Sequence, residues 1–194
     1  MSAHTETELA ALRATAAADS PPQLLSFMLG TGTYALSILR IKEIIEYDKL
    51  TAVPMMPTAV RGVINLRGAV VPVIDIALRF GHAPTQAGRR TCIVIVETGG
   101  AERRQEVGLL VDAVNEVMDI AATDIEPPPA FGAHAPPGCI AGMGKTAAGF
   151  TIILDADSLL NGLDQAGATW AGSAQAAVAQ VAVAQAPIAE AAIA

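Results

Sequence analysis

The sequence predicts a mainly β protein folded as one or two compact barrels, and three observations carry that reading. Short runs enriched in β-branched residues recur between glycine and proline breaks. One of them, Thr91-Cys92-Ile93-Val94-Ile95-Val96, is apolar at every second position on both faces, as a strand covered on both sides must be. Helical signals are brief and do not alternate with the strands as a βαβ sheet would require.

Taken in chain order, the strand-like runs are Leu24–Leu29, Thr33–Ile38, Val60–Leu66, Ala69–Ile74, Thr91–Glu97, Glu106–Val111, Val114–Ile120, Cys139–Met143 and Gly149–Leu154. Gly30-Thr31-Gly32 lies between the first two and reads as a hairpin turn. Arg67-Gly68 marks a second hairpin, because glycine accepts the positive φ of a tight turn. A third hairpin turns within Gly144–Gly149. Two short helices are expected: Asp75–Phe80, which opens on an acidic cap and stops at Gly81, and Asp155–Leu163 after the last strand.

The chain divides into three parts: a polar, disordered tail over 1–20, a folded block over 21–164, and an alanine-rich, low-complexity tail over 165–194. The hydrophobic fraction of 52% is therefore partly an alanine effect. The whole chain carries −7, and the folded block carries 11 basic and 15 acidic residues. A net-acidic chain gains nothing from counterion release on nucleic acid, so general nucleic-acid binding is not expected. Two cysteines, Cys92 and Cys139, make neither a disulfide framework nor a metal cluster. The acidic N-terminus lacks the basic patch and apolar run of a signal peptide, which points to the cytosol. The two long uncharged stretches are broken by prolines (127–144) or by glutamine, alanine and glycine (165–189), so no direct membrane insertion is expected.

No catalytic set emerges. Gly138-Cys-Ile-Ala-Gly-Met-Gly144-Lys145-Thr146 ends like a phosphate-binding loop, but that pattern needs glycine where Cys139 stands. It is also followed by a returning strand rather than a helix, so a hairpin with Lys145 at its tip is the better reading. His4, His82 and His134 are scattered without ligand spacing. Cys92 reads as a small core residue, and nothing near Cys139 would lower its pKa. Asp155 and Asp157 sit where acids stabilise a helix start. No metal or cofactor is expected.

The segment from Ile38 to Phe80 stands apart. Residues 60–90 hold five arginines and one acid, while residues 97–126 hold eight acids and two arginines. Ile38, Ile41, Ile44 and Ile45 crowd apolar surface around Glu43 and Glu46. Pro54-Met55-Met56-Pro57 is an irregular apolar loop of the adaptable kind. Asn65-Leu66-Arg67-Gly68 puts a charge and bare backbone at one hairpin tip. Apolar surface with a few placed polar groups suits protein recognition.

Glu43-Ile-Ile-Glu-Tyr-Asp48, Pro57 and Arg61-Gly-Val-Ile-Asn-Leu-Arg-Gly-Ala-Val-Val-Pro-Val-Ile-Asp75 together resemble the CheW family of bacterial chemotaxis coupling proteins. Val107-Gly-Leu-Leu-Val-Asp-Ala-Val114, Ile125-Glu-Pro-Pro-Pro129, Ile140-Ala-Gly-Met-Gly144 and Ile152-Ile-Leu-Asp-Ala-Asp-Ser-Leu-Leu160 agree, so the resemblance spans about 21–163. It implies two five-stranded SH3-like barrels with a hydrophobic groove between them. It further implies a non-enzymatic cytoplasmic adaptor at membrane-associated chemoreceptor arrays, monomeric alone, that joins the regulatory domain of the histidine kinase CheA to the cytoplasmic tip of chemoreceptors. By motif position, Ile38, Glu43, Ile44, Arg61 and Arg67 fall on the receptor side, and Ile41, Gly62 and Leu66 on the kinase side. Asn65 and Gly68 fall on the structural turn, and Glu43 and Arg67 are placed to pair. The alternatives are the same adaptor in a pilus-motility or gene-regulatory pathway and, more distantly, a nucleotide-binding enzyme built on Gly144-Lys145-Thr146.

Overall fold

The computed structural model describes residues 21–48, 50–54, 56–99, 104–128, 138–147 and 149–160. The two expected tails and the end of the expected Asp155–Leu163 helix lie outside these residues. Among the described residues eleven strands run in chain order: β1 (Gln23–Leu29), β2 (Gly32–Ser37), β3 (Ile41–Glu46), β4 (Val60–Leu66), β5 (Ala69–Asp75), β6 (Cys92–Thr98), β7 (Gln105–Val111), β8 (Ala113–Asp119), β9 (Ile125–Glu126), β10 (Ile140–Thr146) and β11 (Gly149–Leu154). One four-residue helix, α1 (Ile76–Arg79), follows β5. Single 3-10 turns cover Ile38–Arg40, Ala122–Asp124 and Ser158–Leu160.

The strands form a six-stranded sheet ordered β8-β1-β2-β11-β10-β9 and a five-stranded sheet ordered β3-β6-β7-β5-β4. The mainly β, SH3-like architecture agrees with expectation, with two corrections. The first sheet has six strands rather than five, because the short β9 pairs with β10 at Met143↔Glu126 and Gly144↔Ile125. Neither ladder closes into a full barrel. In the five-stranded sheet the edges are drawn together by one antiparallel bridge, Thr51↔Val63, with hydrogen bonds of 3.0 and 2.9 Å. In the six-stranded sheet the edge strands β8 and β9 are consecutive in the chain.

Alternation along the central strands explains how two sheets make one body. In β6, Ile93 and Ile95 point into the curl of the five-stranded sheet with Val71, Val73 and Leu110. Val94 and Val96 point the other way, into a core shared with Leu25, Phe27 and Leu36 of the six-stranded sheet. This is the strand buried on both faces that its continuous apolar run predicts. A smaller cluster of Leu24, Ala35, Ile120 and Ile153 fills the curl of the six-stranded sheet.

Four bulges interrupt these ladders among the described residues. The first is at Ser26, whose Oγ donates to the Glu116 carbonyl (2.9 Å) and accepts from the Glu116 N–H (3.3 Å), so the groups freed by the bulge stay satisfied. The second falls between Ile41 and Glu43 in β3. The last two fall between Val60 and Gly62 in β4 and between Ile140 and Gly142 in β10.

Asp75 caps α1 as expected, accepting from the N–H groups of Ala77 and Leu78. Asp155 likewise accepts from the Ser158 N–H at 2.7 Å. Asp157 does not cap. It pairs with Arg40 and accepts from the Gly99 N–H at 2.8 Å, tying the crossing between the sheets to the end of β6.

Candidate functional site

The β4–β5 hairpin turns in two residues, with Leu66 paired to Ala69. Both turn residues take positive φ, Arg67 at 52° and Gly68 at 89°, which is the mirror-image turn that matches strand twist. Asn65 Oδ1 accepts from the Gly68 N–H at 2.8 Å across the turn. Arg67 stands out from the tip, three-quarters exposed, and its Nη2 reaches Glu43 Oε1 at 2.9 Å. The tip of one edge strand is thereby joined to the other edge strand.

The bulge in β3 decides what surrounds this pair. Ile41 is matched to Val96, Glu43 to Ile95, Ile44 to Val94 and Ile45 to Ile93. Residues directly opposite in a sheet share a face. Ile41 and Ile44 therefore lie on the face that looks toward the other sheet, while Glu43 and Ile45 lie on the inner face. Ile45 packs with Val71 and Ile93, and Ile41 packs against the shared core. Ile44 stays 41% exposed. Lys42 reaches across to Glu106.

The predicted site residues divide on this frame. Glu43, half-buried, and exposed Arg67 pair across the sheet edges, while Ile44, the next residue of β3, is exposed on the opposite face. Ile38 is partly buried on the shared core, and Leu66 packs partly on the inner cluster of the five-stranded sheet. Arg61 lies at the opposite end of β4 from Arg67, about 20 Å away at the usual rise per residue. Its Nη1 is 3.9 Å from Asp75 Oδ2, a carboxylate with no solvent exposure. Asp75 also accepts from Thr85 N (2.9 Å) and Thr85 Oγ1 (3.0 Å). Gly62 has φ +151°, and a Cβ there would stand 2.5 Å from the Thr51 carbonyl, so glycine is what lets the edge bridge form. Met56, expected on an adaptable surface loop, instead packs against the shared core.

Leu39 was not singled out by the sequence, yet it is 90% exposed on the 3-10 turn beside Ile38. In the sequence it sits in an unbroken apolar pair, with nothing to distinguish it from a core residue.

The remaining chemistry-bearing residues serve the fold. Gly144-Lys145-Thr146 lies in β10, with Lys145 matched to Phe150 across an antiparallel hairpin, so no helix opens there to cradle a phosphate. Lys145 pairs with Glu126 at 2.6 Å, and that hydrogen bond raises the lysine pKa. Gly142 and Gly144 let β9 and its flanks approach, since a Cβ at either would come within 3 Å of Ile125 or Ile120. Cys139 is fully buried, its pKa raised by burial, and its thiol donates to the Ser158 carbonyl at 3.1 Å. Cys92 is partly buried against the shared core. Among the described residues no three His, Cys, Asp or Glu side chains come together as a metal set, and no helix is long and apolar enough to cross a membrane.

The chain is similar to a chemotaxis protein CheW of Klebsiella aerogenes, with 31% identity over 74% of this chain and 84% of that one. It is also similar to Protein FrzA of Myxococcus xanthus, at 30% identity over 62% of this chain and 73% of the relative. Among solved structures it is similar to the scaffolding protein TtCheW of Thermoanaerobacter tengcongensis, at TM-score 0.66 and 35% identity, covering 73% of this chain and 93% of that one. Residues 23–164 match the CheW-like domain, and on that match, which takes in nearly all the described structure, the protein belongs to the CheW family.

Proposed function

We propose that this chain is a non-enzymatic adaptor that couples chemoreceptors of the methyl-accepting type to the histidine kinase CheA in bacterial chemotaxis. The observation that carries the reading is the Arg67–Glu43 pair together with exposed Ile44, the next residue of β3, which faces the other way. The ion pair is laid across two strand edges, and it and the uncovered isoleucine are presented by a fold whose relatives are named for chemotaxis and scaffolding. Such a surface performs no bond chemistry. It supplies binding energy and raised local concentration. A receptor signal passes through it only if its contacts differ in free energy between two kinase states.

The receptor tip, a helical hairpin, lays an apolar stripe against Ile44, Ile38 and Leu39, with Arg67 and Glu43 fixing register. Ile41, Gly62 and Leu66 belong to the kinase side, and the structure favours an indirect part for Gly62 and Leu66, through the edge bridge and the inner cluster. Arg61 acts on the receptor side through Asp75. The protein works as a cytoplasmic monomer recruited to membrane-associated receptor arrays.

Calorimetric titration with the CheA regulatory domain and with a receptor-tip fragment tests this. Saturable binding to both is expected, and binding to neither overturns it. The similarity to FrzA, a relative that does not bear the CheW name, favours one second reading, the same adaptor in a pilus-motility or gene-regulatory pathway. The genes neighbouring this one would distinguish the two. Saturable ATP binding that Lys145→Ala abolishes would instead support an enzyme.

A further inference from the structure

A cavity of about 570 Å³ opens between the β1–β2 turn, the segment after α1 and the turn between β7 and β8. None of the residues assigned above to receptor or kinase lines it. Its volume is that of a small-ligand site. Leu29, Ala77 and Pro84 give it apolar wall, and Tyr34, His82 and Asp112 give it polar groups.

Two of these groups lack partners that the fold would normally supply. Tyr34 is only 9% exposed, with its ring stacked on Phe27 and Phe80 at centroid distances of 6.3 and 5.7 Å. Its hydroxyl nevertheless makes no hydrogen bond among the described residues. No fully enclosed side-chain polar atom there is left unsatisfied, so this hydroxyl opens into the cavity that Tyr34 lines. Burial raises its pKa, which keeps it a neutral phenol. Gly32 holds the approach open, because a Cβ there would stand 2.8 Å from the Tyr34 ring and 3.5 Å from its oxygen.

Asp112 is fixed in place. Its N–H donates to the Met28 carbonyl at 3.1 Å, and its Oδ2 accepts from the Gly30 N–H at 2.6 Å. That leaves Oδ1 without a protein partner among the described residues. No lysine or arginine lines the cavity to neutralise this carboxylate.

We propose that this cavity binds an alkyl cation, the guanidinium or ammonium of an arginine or lysine side chain or of a small free amine. The charged head sits against Asp112, its N–H groups reach the Tyr34 oxygen, and its stem lies on Leu29, Ala77 and Pro84. A charge-assisted hydrogen bond to a carboxylate is the strong contact in such a site, and an aliphatic stem gains from the apolar wall. An anion would meet the Asp112 carboxylate with no lysine or arginine in the lining to offset it, and is disfavoured.

A heteronuclear NMR titration of the full chain tests this with agmatine and n-butylamine as probes and butyrate as the control of opposite charge. Saturable shifts at Gly30, Gly32 and residues 82–86 with both amines, and none with butyrate, are expected. Asp112→Asn retains an oxygen for the Gly30 N–H, so its melting should be unchanged while agmatine affinity falls about tenfold or more. Tyr34→Phe keeps the ring stacking and should weaken agmatine by about tenfold, the loss of one hydrogen bond from a charged donor. Absence of saturable shifts, equal shifts with butyrate, or wild-type agmatine affinity in Asp112→Asn would overturn the proposal. Competition separates the two sources. If agmatine displaces the CheA or receptor fragment, the natural occupant is a basic side chain of that partner. If it binds alongside both, the occupant is a free amine.

Discussion

Replacing Arg67 by asparagine should separate folding from partner binding. The Arg67–Glu43 pair is 2.9 Å long, but the arginine side chain is 75% exposed. Solvent screening then leaves it a stability contribution of about 0.5 kcal/mol or less. Arg67 also holds φ at 52°, a conformation that disfavours most L-residues by about 1 kcal/mol and that asparagine tolerates well. Loss of the pair and relief of the backbone are of similar size and opposite sign. The unfolding free energy of Arg67→Asn should therefore stay within about 1 kcal/mol of wild type, a Tm change of no more than about 4 °C. If Arg67 anchors the receptor helix, affinity for a receptor-tip fragment should drop about tenfold, or roughly 1.4 kcal/mol. Thermal melts read the first quantity and calorimetric titration the second. Wild-type affinity would refute the assignment of Arg67 to the contact. A stability loss of more than about 2 kcal/mol would refute the working of the turn energetics.

Gly62→Ala forces a Cβ to within 2.5 Å of the Thr51 carbonyl and should cost about 2 kcal/mol or more in urea denaturation, because the bridge between the sheet edges cannot form. A wild-type urea midpoint would place Gly62 in direct partner contact instead. Asp75→Ala removes the acceptor of Thr85, Ala77 and Leu78 and the counter-charge of Arg61, and should cost about 3 kcal/mol. A cost below about 1 kcal/mol would show that these contacts are not worth what their burial implies. Burial raises both Tyr34 and Cys139 above their ordinary values of 10.0 and 9.0. The unfolded chain gives up these protons first. The stability they contribute is complete below the ordinary values and is lost as pH rises through the folded-state ones. The urea midpoint should fall above pH 9, and the early part of the fall should vanish in Cys139→Ala. A flat midpoint in wild type would contradict it.

Much of this fold could be read from local pattern, and the exceptions have local causes. The two-faced apolar run of β6 and the glycine-bearing turns at Gly30 and Gly68 announce themselves, because alternation and positive φ are properties of a few adjacent residues. The strand β3 does not. Its bulge between Ile41 and Glu43 replaces strict alternation with a spacing of three between Ile41 and Ile44, so the segment shows no period of two. The strand β9 is two residues long and exists only through its pairing with Met143 and Gly144 of β10.

The site follows the same division. Asn65, Arg67 and Gly68 are legible as a turn carrying a charge, and the closeness of Glu43 to Arg67 could be anticipated from the family pattern. That Arg61 serves the buried Asp75, that Met56 fills the core, and that Asp157 ties Arg40 to Gly99 are long-range outcomes. No spacing within one segment encodes which distant side chain a charge will meet.

The central claim is that this chain bridges receptor and kinase, and co-sedimentation with receptor-bearing membranes tests it most directly. CheA should enter the pellet in proportion to added wild-type chain and far less with Arg67→Asn. CheA that pellets equally without the chain, or a chain left in the supernatant with the kinase, would contradict the account.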